Sequence, residues 1–217
     1  MGVLVAGGTG ALGEAVVRDL LGAGYEVSVA DRQGEAPEGA ATLTVDLLDT
    51  AAAAEAVGSV ADLEAVVNLV GGFAMGSKIE SAELEEFERM LRLNLVPAFN
   101  LARAAMPAMA SRGGGAFVCV SARAALQPFP GACGYITAKA AVLAFVTALH
   151  AEYVDAGVRS NAVLPSVIDT PANRESMPES DWSKWVAPEE IARVIRFLVS
   201  DDSAPTSGAA VPVYGRA

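Results

Sequence analysis

The sequence has little of what builds metal sites and disulfide frameworks. Its 217 residues include two cysteines and one histidine. Cys119, Cys133 and His150 stand far apart with no ligand-like spacing, so no metal site and no disulfide scaffold is expected. Positive charge is also scarce. Fifteen Lys and Arg face 26 Asp and Glu, for a net charge of -11. Nucleic acid and anionic membranes both call for a basic surface, so neither is an expected partner. No apolar run is long enough to span a bilayer without charges. No charged leader or cleavage site precedes Val3-Leu4-Val5, so the expected location is the cytoplasm. A composition 53% hydrophobic and 19% charged suits a packed domain. The length suits one domain with a small lid.

What is present is alternation. Val3-Ala6, Glu26-Ala30, Ala41-Val45, Glu64-Val70, Ala116-Ser121, Val158-Leu164 and Ala210-Tyr214 are short, apolar and rich in valine. They read as strands buried on both faces, as in a parallel sheet. Helical patterns lie between them at Leu12-Leu21, Ala51-Val57, Ala82-Ala110, Gly134-Asp155 and Pro188-Val199. The order predicts an α/β fold with a doubly wound, parallel, seven-stranded sheet in a single domain. Residues 169–186 are polar, contain prolines and lack periodicity, so they read as a lid loop. Gly34, Pro37 and Gly39 leave no room for a crossover helix between the second and third strands.

Gly7-Gly8-Thr9-Gly10-Ala11-Leu12-Gly13 follows a strand and opens a helix. Glycines let backbone N–H groups approach a pyrophosphate, and the helix N-terminus favours its charge. Asp31 ends the next strand, about 20 residues on, where an acid accepts hydrogen bonds from a ribose diol. NAD(H) is therefore favoured. NADP(H) stays open because the adjacent Arg32 offers a guanidinium to a 2′-phosphate.

Tyr135 and Lys139 are four residues apart on one helix face. A free tyrosine titrates near ~10. A nearby ammonium, with the positive nicotinamide, favours phenolate and lowers that value. A drop of about three units corresponds to about 4 kcal/mol. Such a phenol protonates a carbonyl oxygen as hydride arrives, or deprotonates an alcohol in reverse.

Taken together, these motifs resemble the short-chain dehydrogenase/reductase family over nearly the whole length. Asn68-Leu69-Val70-Gly71-Gly72 looks like that family's Asn-Asn-Ala-Gly segment. Asp46-Leu47 falls where an acid meets the adenine. Asn94 matches the helix asparagine that supports the lysine through a water. Pro165-Ser166 looks like the nicotinamide-side Pro-Gly pair, and it places Ile168 and Thr170 by the carboxamide and phosphates. The resemblance implies a Rossmann-type fold, a small-molecule substrate with a carbonyl or alcohol, and a homodimer or homotetramer built through the two long helices. Pro97 adds a physical reading of Asn94. It lacks an N–H, which frees the Leu93 carbonyl to hold a water in a kinked helix.

Three departures stand out. The family's catalytic serine position is Ala122, and Ser121 lies one step earlier. Ser121 serves only if the strand ends in a bulge or turn; otherwise the hydroxyl is missing. Together with Ala11 in the glycine turn and the missing second crossover helix, this resembles in outline the dihydropteridine-reductase-like members, which act on a pterin. The alternative reading is a cofactor-binding regulatory protein that has lost turnover. Trp182 and Trp185 in the lid either cover a substrate or pin the loop. Phe73 and Met75 fall at the pocket mouth.

Overall fold

The fold is seen in a computed structural model that describes Met1–Arg216. Seven strands form one parallel sheet: β1 (Gly2–Ala6), β2 (Glu26–Asp31), β3 (Ala41–Thr44), β4 (Leu63–Asn68), β5 (Gly115–Val120), β6 (Val158–Pro165) and β7 (Ala210–Val213). Their spatial order is β3-β2-β1-β4-β5-β6-β7. The order reverses between β1 and β4, and a crevice opens at the carboxyl ends of strands at such a switch point.

Helices cover both faces. α1 (Ala11–Gly22) and α6 (Pro188–Val199) lie on one side. α2 (Thr50–Gly58), α3 (Leu84–Ser111) and α4 (Cys133–Tyr153) lie on the other. The alternation of side chains along each strand sorts the core into two layers. Val3, Val5 and Val29 pack with Val16, Leu20, Ile191 and Ile195. Leu4, Phe117 and Leu164 pack with Leu101, Met106 and Val142.

Two expectations need correction. The third strand is not buried: Ala41, Thr42 and Thr44 are exposed. It is the sheet's edge, with no helix between β2 and β3, and only Leu43 and the following Val45 pack against the core. The lid is not a bare loop. It contains α5 (Pro171–Ser176), capped by the Thr170 hydroxyl, and a 3-10 turn over Trp182–Lys184. The segment Cys133–Ala156 is long and apolar enough, by length and composition, to cross a membrane, and 28% of its most apolar stretch is buried, but Lys139 and Glu152 interrupt it, so it holds no charge-free span. It covers the sheet here, packing on α3 and β6.

α3 runs unbroken through Pro97 and Pro107. Pro97 still leaves the Leu93 carbonyl without its helical N–H partner.

Candidate active site

Because every strand is parallel, their carboxyl ends share one edge, and the candidate residues gather there. Gly7, at the end of β1, takes φ +78°, a left-handed conformation that glycine adopts without strain. Gly10 then caps α1 with no side-chain bond to the helix. The first-turn N–H groups of Ala11, Leu12 and Gly13 therefore have no capping side chain, as an anion site requires. A Cβ on Gly13 would collide with the Gly7 carbonyl, which fixes the closeness of turn and helix. This cradle fits a dinucleotide.

Asp31 stands at the end of β2. Its Oδ2 accepts from the Thr9 hydroxyl at 2.6 Å and from the Thr9 N–H at 3.3 Å. Its Oδ1 accepts from the Arg32 N–H at 2.8 Å. The carboxylate is thus held in one orientation beside the glycine turn. Arg32 is exposed next to it. Asp46 is exposed and accepts from the Leu48 N–H, whereas Leu47 is buried and its carbonyl accepts from Asn100.

On the other side of the switch point, Asn68 ends β4 and its Oδ1 accepts from the Val70 N–H at 3.2 Å. The chain then turns through Gly71 and Gly72 against α3. A Cβ on Gly71 would sit 2.6 Å from Asn94 Oδ1 and 3.0 Å from Lys139 Nζ. Only glycine allows so close an approach. Buried Asn94 donates to the carbonyls of Met90 and Gly72 at 2.9 and 3.1 Å, and accepts from the Gly72 N–H at 3.2 Å. Its amide is occupied in tying the β4 turn to α3, a bond with no signal in the residue order.

Tyr135 and Lys139 occupy the first turns of α4. Lys139 is buried, 6% exposed, and its Nζ donates to the Val120 carbonyl at 3.1 Å. Nζ lies 5.9 Å from the Tyr135 ring centroid. Phe73 meets that ring edge-on with centroids 4.9 Å apart. Burial pushes the Lys139 ammonium down to about 8. Burial pushes the Tyr135 phenol up to about 12, opposite to the expectation from sequence. Removing water from a phenolate costs more here than an ammonium at this separation returns, and the expected drop also counted a positive nicotinamide. The ligand-free site therefore holds a protonated phenol.

Ser121 directly follows β5. Its hydroxyl is buried and donates to the Lys139 carbonyl at 2.7 Å. β5 ends at Val120 without a bulge that would re-aim it, and Ala122 follows in extended conformation. The serine is used to pack β5 against α4.

The nicotinamide-side segment is built around its own bonds. Pro165 ends β6, and the Ser166 hydroxyl donates to the Tyr214 carbonyl at 2.8 Å. The Ile168 carbonyl accepts from Asn173, and Ile168 pairs with Val186 to close the base of the lid. Trp182 donates its indole N–H to the Met177 carbonyl and carries Arg174 4.9 Å over its ring. Arg174 is in turn paired with Asp169. These bonds make Trp182 an anchor within the lid. Among the described residues no group of three or more His, Cys, Asp or Glu is placed to hold a metal. Cys119 is buried in β5 and its thiol is pushed up to about 12 by burial.

Comparison with known proteins gives one consistent result. Residues 2–181 match the family described as short chain dehydrogenase. The chain is 30% identical to the 4-formylbenzenesulfonate dehydrogenase of Comamonas testosteroni, over 98% of this chain and 95% of that protein. A short-chain type dehydrogenase/reductase from Mycobacterium ulcerans superposes with a TM-score of 0.92 at 24% identity, covering 99% of this chain and 88% of that one. ElxO, solved with NADP bound, superposes with a TM-score of 0.90 at 22% identity, covering 99% and 97%.

Proposed function

The chain belongs to the short-chain dehydrogenase family, and we propose that within it Tyr135 exchanges the proton with the substrate oxygen while Lys139 supplies the charge beside it. The enzyme is an NAD(P)-dependent oxidoreductase that passes hydride between a nicotinamide and a carbonyl/alcohol pair. The nicotinamide supplies the hydride. The rest of the work falls to this chain's residues. The uncapped first turn of α1, with Gly7, Gly10 and Gly13 before and within it, holds the pyrophosphate. Asn68, Val70, Gly71 and the Pro165–Thr170 segment line the nicotinamide end.

The observation that carries the proposal is the placement of Lys139. Burying an ammonium costs free energy, and groups held at such cost cluster at functional sites. Here it is fixed by one carbonyl, one helical turn from a partly buried phenol at the switch-point edge. In reduction, the neutral Tyr135 hydroxyl donates to the carbonyl oxygen. The Lys139 ammonium, still mainly protonated at pH 7, then stabilises the phenolate left behind. Asn94 acts at one remove, by bracing the Gly71–Gly72 turn beside Lys139. Ser121 takes no part, because its hydroxyl is already committed to the Lys139 carbonyl.

The cofactor we favour is NAD(H). Thr9 fixes the Asp31 carboxylate beside the glycine turn, and a carboxylate there accepts from a ribose diol and repels a 2′-phosphate. We also propose assembly through α3 and α4. α4 is apolar on all sides yet only partly buried, and Phe99 of α3 is half exposed beside Phe145. Two free cysteines suit a reducing, cytoplasmic setting.

Tyr135→Phe tests the mechanism. Hydride transfer falls by about 10²-fold or more, while NADH affinity measured by fluorescence titration stays near that of the wild type. Unchanged turnover refutes the role given to Tyr135. A wild-type protein that binds NADH but reduces no carbonyl across a broad panel supports the regulatory alternative instead.

A further inference from the structure

Large apolar side chains are unevenly exposed on this surface. Ten are exposed among the described residues, and six of them are Phe73, Met75, Ile79, Leu84, Leu126 and Phe129. All six fall in two stretches of chain, one joining β4 to the start of α3 and one joining β5 to α4. Scattered exposed hydrophobics need no explanation, but a cluster does.

The two stretches are joined. The Gly76 N–H donates to the Gly131 carbonyl at 2.8 Å. Gly131 takes φ +83°, and a Cβ there would come within 3.0 Å of the Gly76 carbonyl. The junction is therefore built for close backbone contact and holds both loops in place. Beside it lies a cavity of about 260 Å³. Met75, Phe87, Met90 and Cys133 line it, and Tyr135 forms part of its wall. Its acidic lining comes from Glu83 and Glu86, and Glu86 is bound to Arg89 and held below the usual carboxylate range by that bond.

We propose that this cavity receives the body of the substrate, and that the substrate class is a carbonyl or alcohol carrying an uncharged aliphatic or aromatic body. This rests on the reading of Tyr135 as the proton-exchanging group. A wall shared with Tyr135 means that a molecule whose oxygen meets the phenol extends its carbon chain into the cavity. At about 30 Å³ for each water-sized group, the space holds roughly eight or nine carbons. The lining acids leave no counter-charge for an anionic tail at that end.

The test uses the whole enzyme with NADH bound, carrying Tyr135→Phe so that the ketones bind without consuming the NADH. Straight-chain 2-alkanones from four to twelve carbons are titrated and followed by NADH fluorescence. Kd should fall about fourfold per added methylene, then level off once the cavity is full. A chain of the same length ending in a carboxylate should lose most of that gain. Ala82→Trp, which puts a bulky ring at the cavity wall, should move the levelling point to shorter chains, with the melting temperature checking that the variant is folded. Kd independent of chain length, in a protein whose wild type binds NADH and turns over, overturns the proposal and leaves the mechanism standing. No NADH binding or turnover at all overturns the underlying reading instead. Equal affinity for the carboxylate-ended chain overturns the uncharged class. An unchanged levelling point in Ala82→Trp with a changed oligomeric state overturns the proposal in favour of a contact between copies of the chain.

Discussion

Lys139→Met should make the ligand-free protein more stable while nearly abolishing turnover. Lys139 is buried, its one hydrogen-bond acceptor among the described residues is the Val120 carbonyl, and burial lowers its pKa from 10.5 to about 8. At about 1.36 kcal/mol per unit, holding that ammonium in the fold costs about 3 kcal/mol at pH 7. Methionine has similar length, no charge and a flexible shape that fits irregular cores. It gives up one hydrogen bond, worth about 1 kcal/mol. The expected net gain is about 2 kcal/mol, or about 4–8 °C in Tm for a chain of this size. The folded pKa lies below the unfolded one. Below about pH 8 both states carry the ammonium and the full cost is present. As pH rises from 8 toward 10.5, the folded state sheds its proton and the cost fades. Wild-type stability should therefore climb toward the mutant's between pH 7 and 10, while the mutant shows no such climb at this site. Urea denaturation without cofactor measures both, since a bound dinucleotide adds its own stabilisation. A Lys139→Met protein less stable than wild type at pH 7, or a gap that does not narrow by pH 10, refutes the reasoning.

Two further outcomes follow from the same geometry. Asp31→Ala should remove the carboxylate oriented by Thr9, weaken NADH binding about tenfold, corresponding to about 1.4 kcal/mol, and narrow the preference over NADPH; a wild type that binds NADPH more tightly than NADH contradicts the role of Asp31 outright. Ser121→Ala should leave kcat within about threefold of wild type yet lower stability by about 1 kcal/mol, because its hydroxyl bonds the Lys139 carbonyl. A loss of kcat beyond about 10²-fold with an intact Tm would show that the serine reaches the substrate after all.

Much of the frame is readable from residue order. Valine-rich segments such as Val3-Leu4-Val5 and Val66-Val67 leave few choices except buried parallel strands, and alternation with helical patterns then dictates right-handed crossovers. The glycine turn was equally legible, since Gly7 and Gly13 sit where only a missing side chain permits the observed backbone and contact. The i, i+4 spacing of Tyr135 and Lys139 needs nothing beyond a helix to bring them together. β3 reads as buried only if apolar content is taken for burial, and its exposure depends on having no neighbour outside it and no helix above it.

What the sequence determined by itself was local and periodic: the strands, the glycine turn, the helix that carries the phenol and the ammonium. Tertiary structure decided whatever depends on distant partners. It brought Gly72 to Asn94, the Val120 carbonyl to Lys139 and the Lys139 carbonyl to Ser121. It also set the sign of the Tyr135 shift, because a pKa answers to how much water remains around the group as well as to its neighbour four residues on. Burial is a property of the assembled layers, and no spacing along the chain encodes it.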